Sequence, residues 1–186
     1  MYFEGQVYEG AVSLQRGEYE NCRFINCDLS EGDFTGFKFI DCAFEACNLS
    51  MVKLAGTAFQ EVTFKDCKML GLRFDTASGF GLSVSFENCR LDHSSFFRQK
   101  LRKTRFRDCD MEGADFGEAD LAEAIFENTR LVLAIFDNTI LEKADFRTAL
   151  GFSIDPERNK LKKAKFAQSG LAGLLDKFQI QVDKSL

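Results

Sequence analysis

Seven cysteines, one histidine and two strongly charged segments are the residues of this 186-residue chain whose types could do chemistry. Cysteines in that number suggest zinc or redox work, but zinc needs four ligands converging tetrahedrally. Cys27, Cys47 and Cys67 are evenly spaced, and Cys22 and Cys42 repeat the same interval. A chain coiling with that period lines its thiols up in a column, so we read them as small buried hydrophobes and expect no metal and no cofactor. His93 has no partner discernible as a triad member, which leaves it a surface residue. No phosphate-binding glycine loop, HExxH or GxSxG string occurs. No catalytic residue is assigned, and an enzyme is not expected.

Charge says more. The 24 Lys and Arg against 29 Asp and Glu give a net charge of −5 and a pI near 5.1, which disfavours non-specific binding to nucleic acid. Taken by segment, residues 76–107 carry +5 and residues 108–148 carry −8. The basic belt comprises Arg90, Arg98, Lys100, Arg102, Lys103, Arg105 and Arg107. The acidic set is Asp110, Glu112, Asp115, Glu118 and Asp120, read as a partner-binding surface with Phe80 as an apolar probe beside it. The cysteine count is odd, no basic-then-apolar leader opens the chain, and no apolar run is long enough to span a bilayer. These lead to the expectation of a cytoplasmic protein that avoids membranes.

What positions these residues is a repeat. From Leu14, every fifth residue is Phe, Leu, Met or Tyr as far as Phe74, and the step resumes from Phe86 to Phe146. Two residues before each large site stands a small uncharged one, with Phe37, Leu72 and Gln99 as the exceptions. Five is neither the period of a helix nor that of a strand, so amphipathic helices and half-buried sheets are excluded. The chain must turn the same way every five residues, with two side chains in and three out.

Ala114-Asp115-Phe116-Gly117-Glu118-Ala119-Asp120-Leu121 resembles the pentapeptide-repeat pattern A(D/N)LxX, and the resemblance covers residues 12–148. It implies an all-β fold, a right-handed quadrilateral parallel β-helix with four pentapeptides per coil. Side chains four pentapeptides apart should then stack, and Phe86, Phe106, Phe126 and Phe146 make one such column. The interval from Phe74 to Phe86 reads as a two-residue insertion, a bulged edge at 75–85 that continues Phe64 into Phe86, Met69 into Leu91 and Cys67 into Cys89.

Residues 1–148 are thus assigned to the solenoid, with Met1–Ala11 covering one end, and residues 149–186 to a C-terminal cap. In the cap, Ser169 is read as the N-cap of a short helix bearing Leu171, Leu174, Leu175 and Phe178, followed by a strand at Ile180-Gln181-Val182. These six apolar residues form the expected homodimer interface. Two coaxial rods would extend about 64 Å, or roughly 19 base pairs at about 3.4 Å rise, the scale on which an acidic rod offers a DNA-binding protein a false duplex. Within the family the chain is similar to the quinolone-resistance and microcin-immunity type. That resemblance implies DNA gyrase or topoisomerase IV as partner, with no direct contact to nucleic acid. A protein-interaction scaffold without a topoisomerase role is the alternative.

Overall fold

The computed structural model describes residues 1–181. The chain winds as a parallel β-solenoid whose large side chains fill a square interior. Its first face carries Tyr8, Phe24, Phe44, Phe64, Phe86, Phe106 and Phe126, on strands β2 (Val7–Glu9), β4 (Arg23–Ile25), β6 (Ala43–Glu45), β8 (Val62–Lys65), β9 (Val84–Glu87), β10 (Arg105–Arg107) and β11 (Ile125–Glu127). The fourth face pairs β1 (Tyr2–Glu4), β3 (Glu18–Glu20), β5 (Lys38–Ile40) and β7 (Ala58–Gln60). The second and third faces are held by single bridges such as Asp28 to Asn48 and Asp115 to Ile135.

Register repeats once per coil, with Phe24 on Phe44 and Phe106 on Phe126. Rings in one column stack, Phe86 on Phe106 at 5.3 Å and 4°, and meet the next column edge-on, Phe86 to Phe96 at 6.1 Å and 78°. These are the two arrangements that the ring quadrupole favours, and each buried Phe adds about 2–3 kcal/mol of burial before entropy.

The two-residue insertion is where the sequence places it. Phe64 stacks on Phe86 at 5.3 Å, Phe74 on Phe96 at 4.7 Å, and Lys68 bridges Arg90. The extra residues bulge from the fourth face, between Ser78, whose N–H donates to Thr57 O, and Ser83, whose N–H donates to Phe59 O. On that face the aromatic column Tyr19, Phe39, Phe59 ends and the leucines Leu101, Leu121 and Leu141 begin.

Both ends go beyond the sequence reading. Met1–Ala11 covers its end as a shortened coil of the solenoid. Strands β1 and β2 pair with β3 and β4, setting Phe3 opposite Tyr19 and Tyr8 opposite Phe24, a shorter step than the Phe24-to-Phe44 interval of the regular coils. Phe3 stacks on Tyr19 at 4.6 Å. At the other end the solenoid passes the assigned boundary at 148. Leu150 bridges Arg130, Lys160 bridges Ile140, Lys165 bridges Asp145, and Phe166 stacks on Phe146 at 5.4 Å. The five-step fails only at Gly151 and Pro156, where Phe152 and Ile154 turn inward instead. Asn159 recovers the register by donating to Phe136 O and Asp155 O, both at 3.0 Å.

The cap is two 3-10 turns, Gln168–Leu174 and Asp176–Phe178, rather than an α-helix. Ser169 lies inside the first turn, whose N-cap is Ala167 with no side-chain cap hydrogen bond, and Gly170 and Gly173 lie against Phe152 where a side chain would collide. Ile180 and Gln181 form no strand, and Val182 lies outside the described residues. No helix among the described residues is long and apolar enough to cross a membrane.

Candidate partner-binding surface

Two polar devices recur along the solenoid, one facing in and one facing out. The inward device is a donor at the small site. Thr57 Oγ1 donates to Phe34 O at 2.7 Å, Thr139 Oγ1 to Phe116 O at 2.9 Å and Thr129 Oγ1 to Phe106 O at 3.0 Å, each reaching the coil before. The thiols do the same more weakly: Cys47 Sγ to Phe24 O at 3.3 Å, Cys67 to Phe44 O and Cys89 to Phe64 O at 3.4 Å. All seven cysteines are free and buried. Burial pushes the Cys42 thiol up to about 11 and raises Cys27, so nucleophilic thiolate is suppressed there. Gln99, too large for the pattern, spans the wider gap at the bulge to reach Phe74 O at 2.9 Å. Phe37 stacks on Tyr19 at 6.1 Å, above the small Gly17 of the coil before.

The outward device is the Asp before a large residue. Its carboxylate accepts the N–H two residues on: Asp115 from Gly117 at 2.8 Å, Asp120 from Ala122 at 3.0 Å, Asp110 from Glu112 at 3.3 Å. That bond closes the corner, where the next residue takes a left-handed φ, 55° at Glu118 and 63° at Glu123.

Asp110, Asp115 and Asp120 wrap around one coil on three successive faces and do not form a single patch. Stacking also brings the basic belt and residue Arg130 against this acidic set. Arg98 reaches Glu118 at 2.8 Å and Arg102 reaches Asp120 at 3.1 Å, each from one coil before. Arg130, one coil later, bonds Asp110 at 2.8 Å and Glu112 at 2.7 Å. Of the five carboxylates only Asp115 lacks an ion pair among the described residues. It sits between Ser95 and Ile135. The same alternation runs down the next corner, where Glu87 lies between Lys65 at 3.3 Å and Arg107 at 2.6 Å.

Phe80 stands at the tip of the bulge, 87% exposed. In the cap, Leu174 packs on the core while Leu171, Leu175, Phe178 and Ile180 remain exposed. His93 is exposed on a corner, over Gly113. Sequence reasoning missed the ion-pair ladder. Its signal was present in the one-coil spacing of Arg98 from Glu118 and of Asp110 from Arg130.

Comparison with known proteins agrees with this geometry. Among solved structures, full-length QnrB1, a plasmid-mediated fluoroquinolone resistance protein, is 18% identical with a TM-score of 0.52, covering 97% of this chain and 100% of that one. Its trypsin-treated form is 21% identical with a TM-score of 0.45, covering 98% of each chain. HetL, a pentapeptide repeat protein involved in heterocyst differentiation regulation from the cyanobacterium Nostoc sp. strain PCC 7120, is 16% identical with a TM-score of 0.35, covering 91% of this chain and 86% of that one. No curated protein matches. The pentapeptide repeat region profile matches residues 18–96 and 81–166, most of the solenoid, and the chain belongs to the pentapeptide-repeat family.

Proposed function

We propose that the protein is a non-enzymatic binding rod of the quinolone-resistance type, which engages DNA gyrase or topoisomerase IV in the cytoplasm and protects it from a quinolone- or microcin-like poison. The observation that carries the reading is the likeness of the fold to that of QnrB1, which covers 97% of this chain and 100% of that one. Phe80, displayed on a bulge that breaks an otherwise flat face, supplies an apolar anchor of the kind that dominates protein interfaces. Asp115 supplies a carboxylate without an ion pair among the described residues. Asp110, Glu112, Glu118 and Asp120 must exchange their arginines to take part, and exposed pairs of this kind open at little cost because water already screens them. A supercoiling assay with gyrase and ciprofloxacin tests the reading. Micromolar protein should restore supercoiling, and Phe80→Ala should lose most of that effect without loss of stability. Unchanged inhibition with the native chain rejects it.

A second reading is favoured by the ion-pair ladder, because alternating charge denies the rod the continuous acidic strip of a DNA mimic. In it the chain is a scaffold for another protein. A pull-down that lacks topoisomerase subunits and enriches one other partner would establish that alternative.

A further inference from the structure

Stacking sorts the cations into two groups. Arg98, Arg102 and Arg130 are each answered by a carboxylate on a neighbouring coil. Lys100, Lys103 and Arg105 make no salt bridge among the described residues, and neither do Lys160, Lys163 and Lys165; all six are exposed, and of them Lys165 lies near enough to Asp145 on the neighbouring coil to help hold its carboxyl low. The two triads occupy the same three columns, three coils apart. Lys100 bridges Asp120, Asp120 bridges Ile140, and Ile140 bridges Lys160. Arg105 pairs with Ile125, which bridges Asp145, which bridges Lys165. Lys103 and Lys163 hold the same corner with φ 61° at both. At about 4.8 Å per coil, the triads are centred roughly 14 Å apart on the edge between the fourth and first faces.

Between them the carboxylates are mostly spoken for. Asp120 is held by Arg102, Glu123 by Lys143 and Asp145 by Arg147. That leaves Glu142, and Glu127 on the first face beyond the corner, as the acids without an ion pair there among the described residues. Lys103 and Arg105 also border a groove of about 230 Å³, lined by the hydroxyls of Thr63, Ser83 and Ser85 and by Glu61, a further carboxylate without an ion pair among the described residues. Ser83 donates to Glu61 at 2.8 Å; the other two hydroxyls have no protein partner among the described residues.

We propose that this edge binds the phosphodiester backbone of double-stranded DNA, with the groove holding one phosphate and the Lys160, Lys163, Lys165 triad a second. A guanidinium, an ammonium and hydroxyls around one concavity supply several donors to the oxygens of a phosphate. The roughly 14 Å between triads is on the scale of a groove of the duplex, so the two sites meet phosphates of the two strands that flank it. The contact is to backbone alone and carries no sequence preference. It is independent of any topoisomerase, and it runs against the expectation from bulk charge because these cations are gathered on one edge.

Anisotropy of a labelled duplex of about 20 base pairs, titrated with the full chain at about 50 and about 150 mM salt, tests this. Two triple variants, Lys100→Gln with Lys103→Gln and Arg105→Gln, and Lys160→Gln with Lys163→Gln and Lys165→Gln, should each weaken binding at least about tenfold at low salt. Each should also reduce the salt slope by about 2–3. Lys38→Gln with Lys53→Gln, on other coils, should leave both unchanged, and melting curves should show all variants folded. The proposal is overturned by no binding of the native chain at low salt, or by triple variants that bind as it does. It is equally overturned if a poly-glutamate peptide displaces the duplex at matched charge, which would assign the edge to an acidic protein.

Discussion

At the scale of single residues, the small inward site is a hydrogen-bond donor as much as a space restriction. The sequence shows that the site is small and uncharged, and this suffices to place the cysteines inside. It does not show that Thr139, Thr129 and Thr57 pair with carbonyls of the coil before, because the acceptor lies more than a full coil back along the chain and any small residue satisfies the pattern. Thr139→Val keeps the shape and removes the donor, leaving Phe116 O buried without this bond. Urea unfolding should show a loss of about 1–2 kcal/mol, while Thr139→Ser, which retains the hydroxyl, should lose less. A Thr139→Val variant as stable as the native chain, with Thr139→Ser the weaker of the two, would mean that volume alone sets the site.

At the scale of the pentapeptide, the inward and outward assignment was fully legible, since a five-residue step with one large and one small residue admits no other turn. Leu121 is fully buried, and Leu121→Asp puts an unpaired charge in the square, so the chain should fail to fold. Asp120→Asn keeps an oxygen to accept the Ala122 N–H and gives up one exposed pair with Arg102; circular dichroism melts should place its stability within about 1 kcal/mol of the native chain. The same corner carboxylates set the acid response. Hydrogen bonds from Arg147 hold Asp145 below the usual carboxylate range, and Lys177 does the same for Asp155. A folded-state pKa below the unfolded one means that stability is present above about pH 4 and is lost as pH falls through the folded values. Melting temperature should therefore be level from about pH 8 to about 5 and decline below about 4, and Asp145→Asn should flatten part of that decline. A decline that begins near neutrality would refute this account.

At the scale of the whole molecule, the rod is a stack of nearest-neighbour contacts, and its two ends are where the sequence falls short. A five-residue pattern carries no mark for a shortened first coil, and it reads Gly151 and Pro156 as a stop although Phe152 and Ile154 take over the core sites on either side. The cap is tied down from several directions: Ile154 N donates to Gly173 O at 2.9 Å, and Lys177 reaches Asp155 at 2.7 Å and Glu157 at 2.6 Å. It therefore seals the coil beneath it and still leaves Leu171, Phe178 and Ile180 about half exposed, at 45%, 56% and 56%. Leu174 is half-buried against the core, and Leu174→Asp should destabilise the cap itself. Apolar side chains clustered on one end of a rod are best covered by the same end of a second copy, which needs no further partner and closes with two-fold symmetry. Sedimentation of the full chain should give a dimer, and Leu171→Asp with Phe178→Asp should give a folded monomer with unchanged far-ultraviolet dichroism. A dimer that survives both substitutions would place the interface elsewhere, and a native chain that sediments as a monomer would leave the exposed cap to a different protein.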